Sequence, residues 1–284
     1  MNVAVGSDLD SGMLNRTASP GSLRYFALLY APPERRDAIA ALFVIDSELR
    51  ESARNANHDV AHTRLQWWRA EIDRLANRNS QHPATRLLQA QHGADRATFG
   101  KLHELVAAAD MDLARMTYNN VQELRAYCAR SAGALMETIA SQLAPNTIDA
   151  ATSSVINRLG TGIREVEIVR DLRQDAHEGR VYLPVEEMDR LNIRQQDLDR
   201  PQTSEPVRAA LESIKRDSLE NLTKPDIQPA ELHDALRPIW VLAALHRRLI
   251  ERIATHNYTV GAERIDLGPI EKPWVAWRAA WARR

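Results

Sequence analysis

Apolar residues recur at helical spacing along most of the chain. Leu65, Trp68, Ile72 and Leu75 stand three and four apart, which puts them on one face of a helix. Val207, Leu211 and Ile214 repeat the pattern behind Ser204 and Pro206, an N-cap residue and an early proline of the kind that opens helices. Leu232, Leu236, Ile239, Leu242, Leu249 and Ile253 make a third stripe, in which Pro238 predicts a kink. Pro32-Pro33, Pro83, Pro225 and Pro229 punctuate junctions between stripes. There are only 11 glycines and no recurrent Asn-Gly or Asp-Gly hairpin signals between alternating strands, so the pattern predicts an all-α protein. Residues 1–18 are polar and read as a flexible N-terminal tail, leaving residues 19–284 as one helical domain.

The stretch LGTGIREVEIVRDLRQDAHEGRVYLP, Leu159 to Pro184, carries Glu167, Asp171 and Asp175 at successive steps of four. On a helix that spacing stacks three carboxylates on one face, where they repel unless something outside the helix compensates them. A hard divalent cation such as Mg²⁺ would do so, held by one or two carboxylates together with substrate phosphate oxygens. Alternatively, Arg164, Arg170 and Arg173 neutralise the acids as surface ion pairs of little energetic value. His177-Glu178-Gly179 then ends the helix, and Arg180 and Tyr182 follow with a fixed cation and a hydroxyl. An arginine beside a carboxylate column suits phosphate binding.

This segment resembles the second aspartate-rich signature of the squalene/phytoene synthase family, in which a helix with Asp-x-x-x-Asp precedes Arg-x-Tyr-x-Pro. Asp171, Asp175, Arg180, Tyr182 and Pro184 match it. Arg164 stands where the family usually has Gln, and Glu167 where it usually has Asn. Residues 107–135 are similar to the family's Met-Asp-Leu segment and its Tyr-Cys-x-x-x-Ala-Gly helix, here Tyr127, Cys128, Ala132 and Gly133. SLRYFALLYAPPERRDAIAALF and RLQWWRAEIDRL also look like family helices, so the likeness runs from Ser19 to Pro184. It implies an isoprenoid-synthase-type helical bundle around a central cavity. It further implies a Mg²⁺-dependent, head-to-head prenyltransferase of isoprenoid biosynthesis acting on a prenyl diphosphate such as farnesyl or geranylgeranyl diphosphate. In that scheme Glu167, Asp171 and Asp175 hold metal, Arg180 and Tyr182 meet the diphosphate, and Tyr127 lies near the carbocation.

The first aspartate-rich motif departs from the family. Arg50-Glu51-Ser52-Ala53-Arg54 occupies the place of Asp-Asp-x-x-Asp. Asp46, Arg50 and Arg54, at steps of four, form a self-neutralising ladder instead. Ionising an allylic diphosphate requires stabilising charge on the departing group, and one such contact is worth about 3 kcal/mol, on the order of a hundredfold in rate. Three functions fit this departure. The chain is an active transferase, or Arg50 and Arg54 grip a diphosphate directly opposite Arg180, or it is a catalytically silent member acting as an assembly factor or partner-binding scaffold. FVIDSELRESAR resembles the family's complex I assembly-factor branch as much as it resembles active synthases.

Composition narrows the field. A net charge of −1, with no basic run interleaved with aromatics, excludes a general nucleic-acid binder. One cysteine, Cys128, rules out an internal disulfide and fits a cytoplasmic location. No secretory signal opens the chain, and no apolar run approaches the roughly 18 residues that span a bilayer. Trp274, Trp277 and Trp281 share one helical face, with Arg278, Arg283 and Arg284 close by. That face either lies in a membrane interface, making the protein peripheral, or docks on the domain. His58 and His62 imitate a zinc-protease pair, but Asp59 replaces the usual Glu and no third ligand follows.

Overall fold

The computed structural model describes residues 11–92, 99–144, 146–225, 227–261 and 264–281, and every regular element among them is helical. In chain order these are α1 (Ser11–Thr17), α2 (Leu23–Leu29), α3 (Pro33–Ala53), α4 (His58–Ala76), α5 (Pro83–His92), α6 (Leu102–Leu113) and α7 (Val121–Cys128). A π-helical segment, Ala129–Gly133, joins α7 to α8 (Ala134–Leu143). There follow α9 (Ala150–Arg170), α10 (Leu172–His177), α11 (Val185–Arg190), α12 (Gln195–Leu198), α13 (Glu205–Asn221), α14 (Ala230–Ala235), α15 (Arg237–Thr255) and α16 (Glu271–Trp281). The all-α expectation holds.

Two helices form the interior. Ile39, Leu42, Phe43, Ile45 and Leu49 bury α3 nearly all round, the signature of a central helix. It packs on α4, α5, α6 and α8, while α9 packs on the π segment, α8, α13 and α15. Side-chain caps start the flanking helices: Asn57 accepts from the Asp59 and Val60 amides, Asn120 from Glu123, and Asp149 from Thr152. Leu65, Trp68, Ile72 and Leu75 are buried, as are Val207, Leu211 and Ile214, because each predicted stripe faces the core.

Two expectations change. Pro238 does not kink a continuous helix. It sits in the first turn of α15, after α14 has ended, where a proline's missing N–H costs nothing. Of the predicted tail, residues 1–10 lie outside the described residues, but Ser11–Thr17 is helical and packs on α3, with Met13 and Leu14 against the core.

The crossing of α9 with the π segment is unusually close. A Cβ on Gly160 would lie 2.3 Å from the Ala132 carbonyl oxygen and 2.6 Å from Gly133 Cα. With backbone against backbone, neither side can yield by turning a side chain. Three residues further along α9, Ile163 lies against the chamber described below. On the opposite side, Glu165 is buried, takes a 3.0 Å hydrogen bond from the Asn221 amide and lies 4.0 Å from Arg125. Burial pushes its carboxyl from 4.5 up to about 7, against the Asn221 bond and Arg125.

Replacing Gly160 with Ala is therefore expected to destabilise the fold by about 2–3 kcal/mol, measured by chemical denaturation. Stabilisation from neutral Glu165 is complete below pH 4.5 and is lost as pH rises through 7, since the folded-state pKa lies above the ordinary one. Glu165→Gln should thus stabilise the protein at pH 8 by on the order of 3 kcal/mol and flatten the stability profile between pH 5 and 8. A thermal melt series across that range that leaves variant and parent parallel would disprove it.

Candidate functional site

A chamber of about 490 Å³ opens between α3, α9 and α15. Its walls are Leu23, Phe43, Leu135, Met136, Ile163 and Leu242, drawn from α2, α3, α8, α9 and α15. Its polar lining is dominated by cations: seven arginines face three carboxylates, Glu51, Glu167 and Asp171. Arg50 and Arg54 come from α3, Arg164 and Arg170 from α9, and Arg24 from α2. Arg16 of α1 and Arg264, between α15 and α16, complete the set.

The predicted ladder on α3 exists, and it also reaches across to the second motif. Arg50 Nε donates to Asp46 Oδ1 at 3.0 Å while its Nη1 donates to Glu167 Oε2 at 2.7 Å. Arg24 closes the other side of Asp46, and Arg164 Nη1 reaches Glu167 Oε2 at 3.3 Å. One turn further along α3, Arg54 Nη2 donates to Asp175 Oδ1 at 2.6 Å. Burial opposes the charge on Glu167, but Arg50, Arg164 and Arg170 outweigh it and hold the carboxyl well below its usual range. Burial likewise works against Arg50, and Asp46 and Glu167 overcome it, raising its pKa. At Asp175 burial wins over Arg164 and Arg54 and pushes the carboxyl up to about 6. Its Oδ2 is buried with no hydrogen-bond partner, which accounts for that balance.

Glu167, Asp171 and Asp175 meet different cations. α9 ends at Asp171, with φ −100° and ψ 12°, and α10 begins at Leu172, while the Asp171 N–H still donates to Glu167 O and the Asp175 N–H to Asp171 O, both at 2.9 Å. Asp171 is clasped from two directions, by Arg170 at 2.9 and 2.5 Å and by Arg264 at 3.0 and 3.4 Å. Arg170 and Arg264 accordingly hold its carboxyl below its ordinary value in spite of burial. Gly179, at φ +78°, terminates α10 as expected: its N–H donates to Ala176 O, and that of Arg180 to Asp175 O at 2.8 Å. The turn carries Arg180 back to the end of α3, where its Nη2 donates to Ala53 O at 3.0 Å and its Nη1 pairs with Glu178.

Tyr127 and Tyr182 stand behind the chamber and are not among its lining residues. Both hydroxyls donate to Asp112, at 3.1 and 2.7 Å. The Tyr127 oxygen also accepts from Arg164 Nη2 at 2.7 Å and Nε at 3.2 Å. The two rings stack 5.4 Å apart, with the Arg164 guanidinium 5.4 and 5.1 Å from their centroids. Burial first, then Asp112, raises the pKa of both phenols. They therefore stay protonated and lock one face of Arg164.

The resemblance implies Mg²⁺, and the donor set does not fit it. Each of the three candidate ligands already meets a guanidinium at hydrogen-bond distance. Among the described residues no three His, Cys, Asp or Glu side chains are grouped to hold a metal ion. His58 and His62 are exposed on the first turns of α4, and Cys128 is buried, its thiol pushed well up by burial.

Five members of the site carry no signal in the sequence, Arg16 of α1 among them. Arg24 and Asp112 lie inside segments that match family helices, but nothing local marks them as functional. Arg264 stands in a coil 93 positions from Asp171 and carries no periodic signal. His246 lines the chamber and is 3% exposed. Its Nδ1 lies 2.8 Å from the Leu242 carbonyl, which can only accept, so Nε2 holds the lone pair. Burial lowers its pKa to about 4, keeping the ring neutral.

On α16 the tryptophan stripe faces outward. Trp274, Trp277 and Trp281 are 57%, 51% and 60% exposed and Ile270 83%, whereas Ala276 and Ala280 are buried toward the body. Arg283 and Arg284 lie outside the described residues. No helix among the described residues is long and apolar enough to cross a membrane.

Known proteins share this architecture. A dehydrosqualene synthase structure superposes with a TM-score of 0.80 at 15% identity, covering 95% of this chain and 94% of that one. A squalene synthase, HpnC, from Alicyclobacillus acidocaldarius gives 0.66 at 15% identity over 88% and 97%. In sequence, the chain is 27% identical to chloroplastic phytoene synthase 1 of Arabidopsis thaliana over 259 residues, 87% of this chain but only 60% of that relative's length. It is also 27% identical to 15-cis-phytoene synthase of Synechococcus elongatus, over 87% of this chain and 84% of the relative. The family model described as squalene/phytoene synthase matches residues 18–280. With the match spanning nearly the whole chain, and with the fold to go with it, this protein belongs to the squalene/phytoene synthase family.

Proposed function

We propose that the chamber holds a prenyl diphosphate of the farnesyl or geranylgeranyl class, and that the chain is a prenyltransferase of the head-to-head type. One observation carries this: an apolar chamber with seven arginines against three carboxylates in its lining. A long hydrocarbon lies along Leu23, Phe43, Leu135 and Met136, and the diphosphate meets the excess cations. Preorganised guanidinium groups stabilise the charge that develops on a departing diphosphate, and in a water-poor chamber they do so strongly. Tyr127 and Tyr182 act as positioning residues: they hold Arg164, and through it the cationic face, without touching the reacting carbons. His246 supplies a neutral Nε2 that can take the proton lost when a carbocation ends as an alkene. Family members are typically Mg²⁺-dependent, but no step is assigned to a metal here. The named relatives are all synthases, which does not favour a silent scaffold.

We also propose that α16 rests on an anionic membrane surface, making the protein peripheral. Three exposed tryptophans stand at helical spacing, and Trp274 borders a groove with Arg278 and with Arg247 and Arg248, which pair with Glu251 and Glu271. Aromatic rings at headgroup depth with cations around them fit that surface better than bulk water.

Purified protein with farnesyl or geranylgeranyl diphosphate and Mg²⁺ is expected to release diphosphate and yield an extractable hydrocarbon. Arg264→Ala, at a largely exposed side chain, should lower kcat/KM by about ten- to a hundredfold with an unchanged circular dichroism spectrum. Absence of both products from the parent protein would defeat the transferase proposal. In co-sedimentation with phosphatidylglycerol vesicles the parent should pellet, and Trp274→Ala/Trp277→Ala/Trp281→Ala should stay largely in the supernatant. Equal partition of the two proteins would remove α16 from the membrane.

A further inference from the structure

We infer that this chain binds its diphosphate through guanidinium groups in place of a divalent cation. The inference rests on the prenyl-diphosphate proposal above and specifies how the ligand is held. In a two-walled acidic site, metal ions bridge facing carboxylates to phosphate oxygens. Here one wall is cationic: Arg50 and Arg54 stand on α3 and meet the opposite acids, Glu167 and Asp175, at 2.7 and 2.6 Å. The third acid, Asp171, is held by Arg170 and Arg264. Positive charge therefore already sits, covalently tethered, where bridging cations would have to bind.

A metal entering this site would have to evict those guanidiniums. Arg50 is engaged on both sides: its Nε donates to Asp46 and its Nη1 to Glu167, on the α3 and α9 walls. Displaced from Glu167 but still tied to Asp46, it would remain close to the dication, and the like charges would repel.

A diphosphate would instead add to the lattice. Arg50 Nη2 is buried without a hydrogen-bond partner, on a residue that lines the chamber. Leaving that donor unsatisfied is costly, and once the Arg50 side chain, which is 24% exposed, turns toward the chamber, an anionic oxygen there would satisfy it. Arg54 and Arg264, with side chains 34% and 64% exposed, line the same chamber and offer further N–H donors. The lining itself thus supplies the neutralising charge that Mg²⁺ would otherwise bring.

The test is calorimetric binding of the unreactive S-thiolo analogue of farnesyl diphosphate to the full chain, in EDTA and in MgCl₂. Affinities within about threefold of each other support the inference. Binding only with Mg²⁺ overturns it while leaving the prenyl-diphosphate proposal intact, and binding under neither condition overturns that proposal as well. Arg54→Ala is expected to weaken binding in EDTA by about tenfold or more. The double variant Arg50→Asp/Arg54→Asp should lose binding in EDTA and gain a thermal upshift from MgCl₂ alone, which the parent lacks. A double variant that still binds the analogue in EDTA as the parent does would show that these arginines do not hold the diphosphate.

Discussion

The structure turns on the pairing of α3 with the second-motif helices through guanidinium and carboxylate. Arg50 meets Glu167 across 117 positions of sequence and Arg54 meets Asp175 across 121. Arg180 then ties the carbonyl of Ala53, at the end of α3, to the turn after α10. Such pairs contribute little net stability, because desolvation takes back much of the Coulombic gain, yet removing one partner leaves a buried charge at a cost of about 3–5 kcal/mol. The lattice thus links α3 to α9 and α10 across the chamber, where the helices share little direct packing. The hydrophobic core around it supplies the stability, at about 1.5–3 kcal/mol for each fully buried leucine or isoleucine.

The chamber also depends on close backbone packing beside these pairs. Glycines at 133 and 160 let α9 and the π segment touch backbone to backbone, and the same contact brings Ala132 and Ile163 to the chamber wall. Local π geometry is rare and tends to occur where a helix is bent for a purpose. Here it follows directly on α7, which carries Tyr127, and Tyr127 is the anchor of Arg164. Asp112, from α6, then orients two phenols at once. A chain of contacts from α6 through Tyr127 to Arg164 and Glu167 fixes the cations before any ligand arrives, which is the condition under which electrostatic stabilisation is effective.

The retained and altered motifs make sense together. Where this chain replaces two of the three acids of the first motif with Arg50 and Arg54, it also replaces the family's usual Gln and Asn in the second motif with Arg164 and Glu167. Glu167 supplies the anion that Arg50 needs, and Arg164 shares it. Asp171 and Asp175 keep their family identities but answer to Arg170, Arg264 and Arg54. The two changes on α9 cancel in charge, so the arginines of the first motif leave the site more cationic, in keeping with seven arginines against three carboxylates in the chamber lining.

Helix content, the faces of α4 and α13 and the turn at Gly179 were legible in the sequence, because amphipathic periodicity and capping are local and repeat within a few residues. The ladder from Asp46 to Arg50 was legible for the same reason. What lies across long separations was not. That Glu167 meets Arg50 and Asp175 meets Arg54 depends on how α3 is set opposite them. That Tyr127 holds Arg164 without lining the chamber itself depends on Asp112, and the clasp on Asp171 depends on Arg264 in a coil. By itself, then, the sequence determined the helices, the family and the residue types of the site. Only the tertiary structure decided which charges meet, because ion pairing depends on distance in space, which spacing along the chain does not encode.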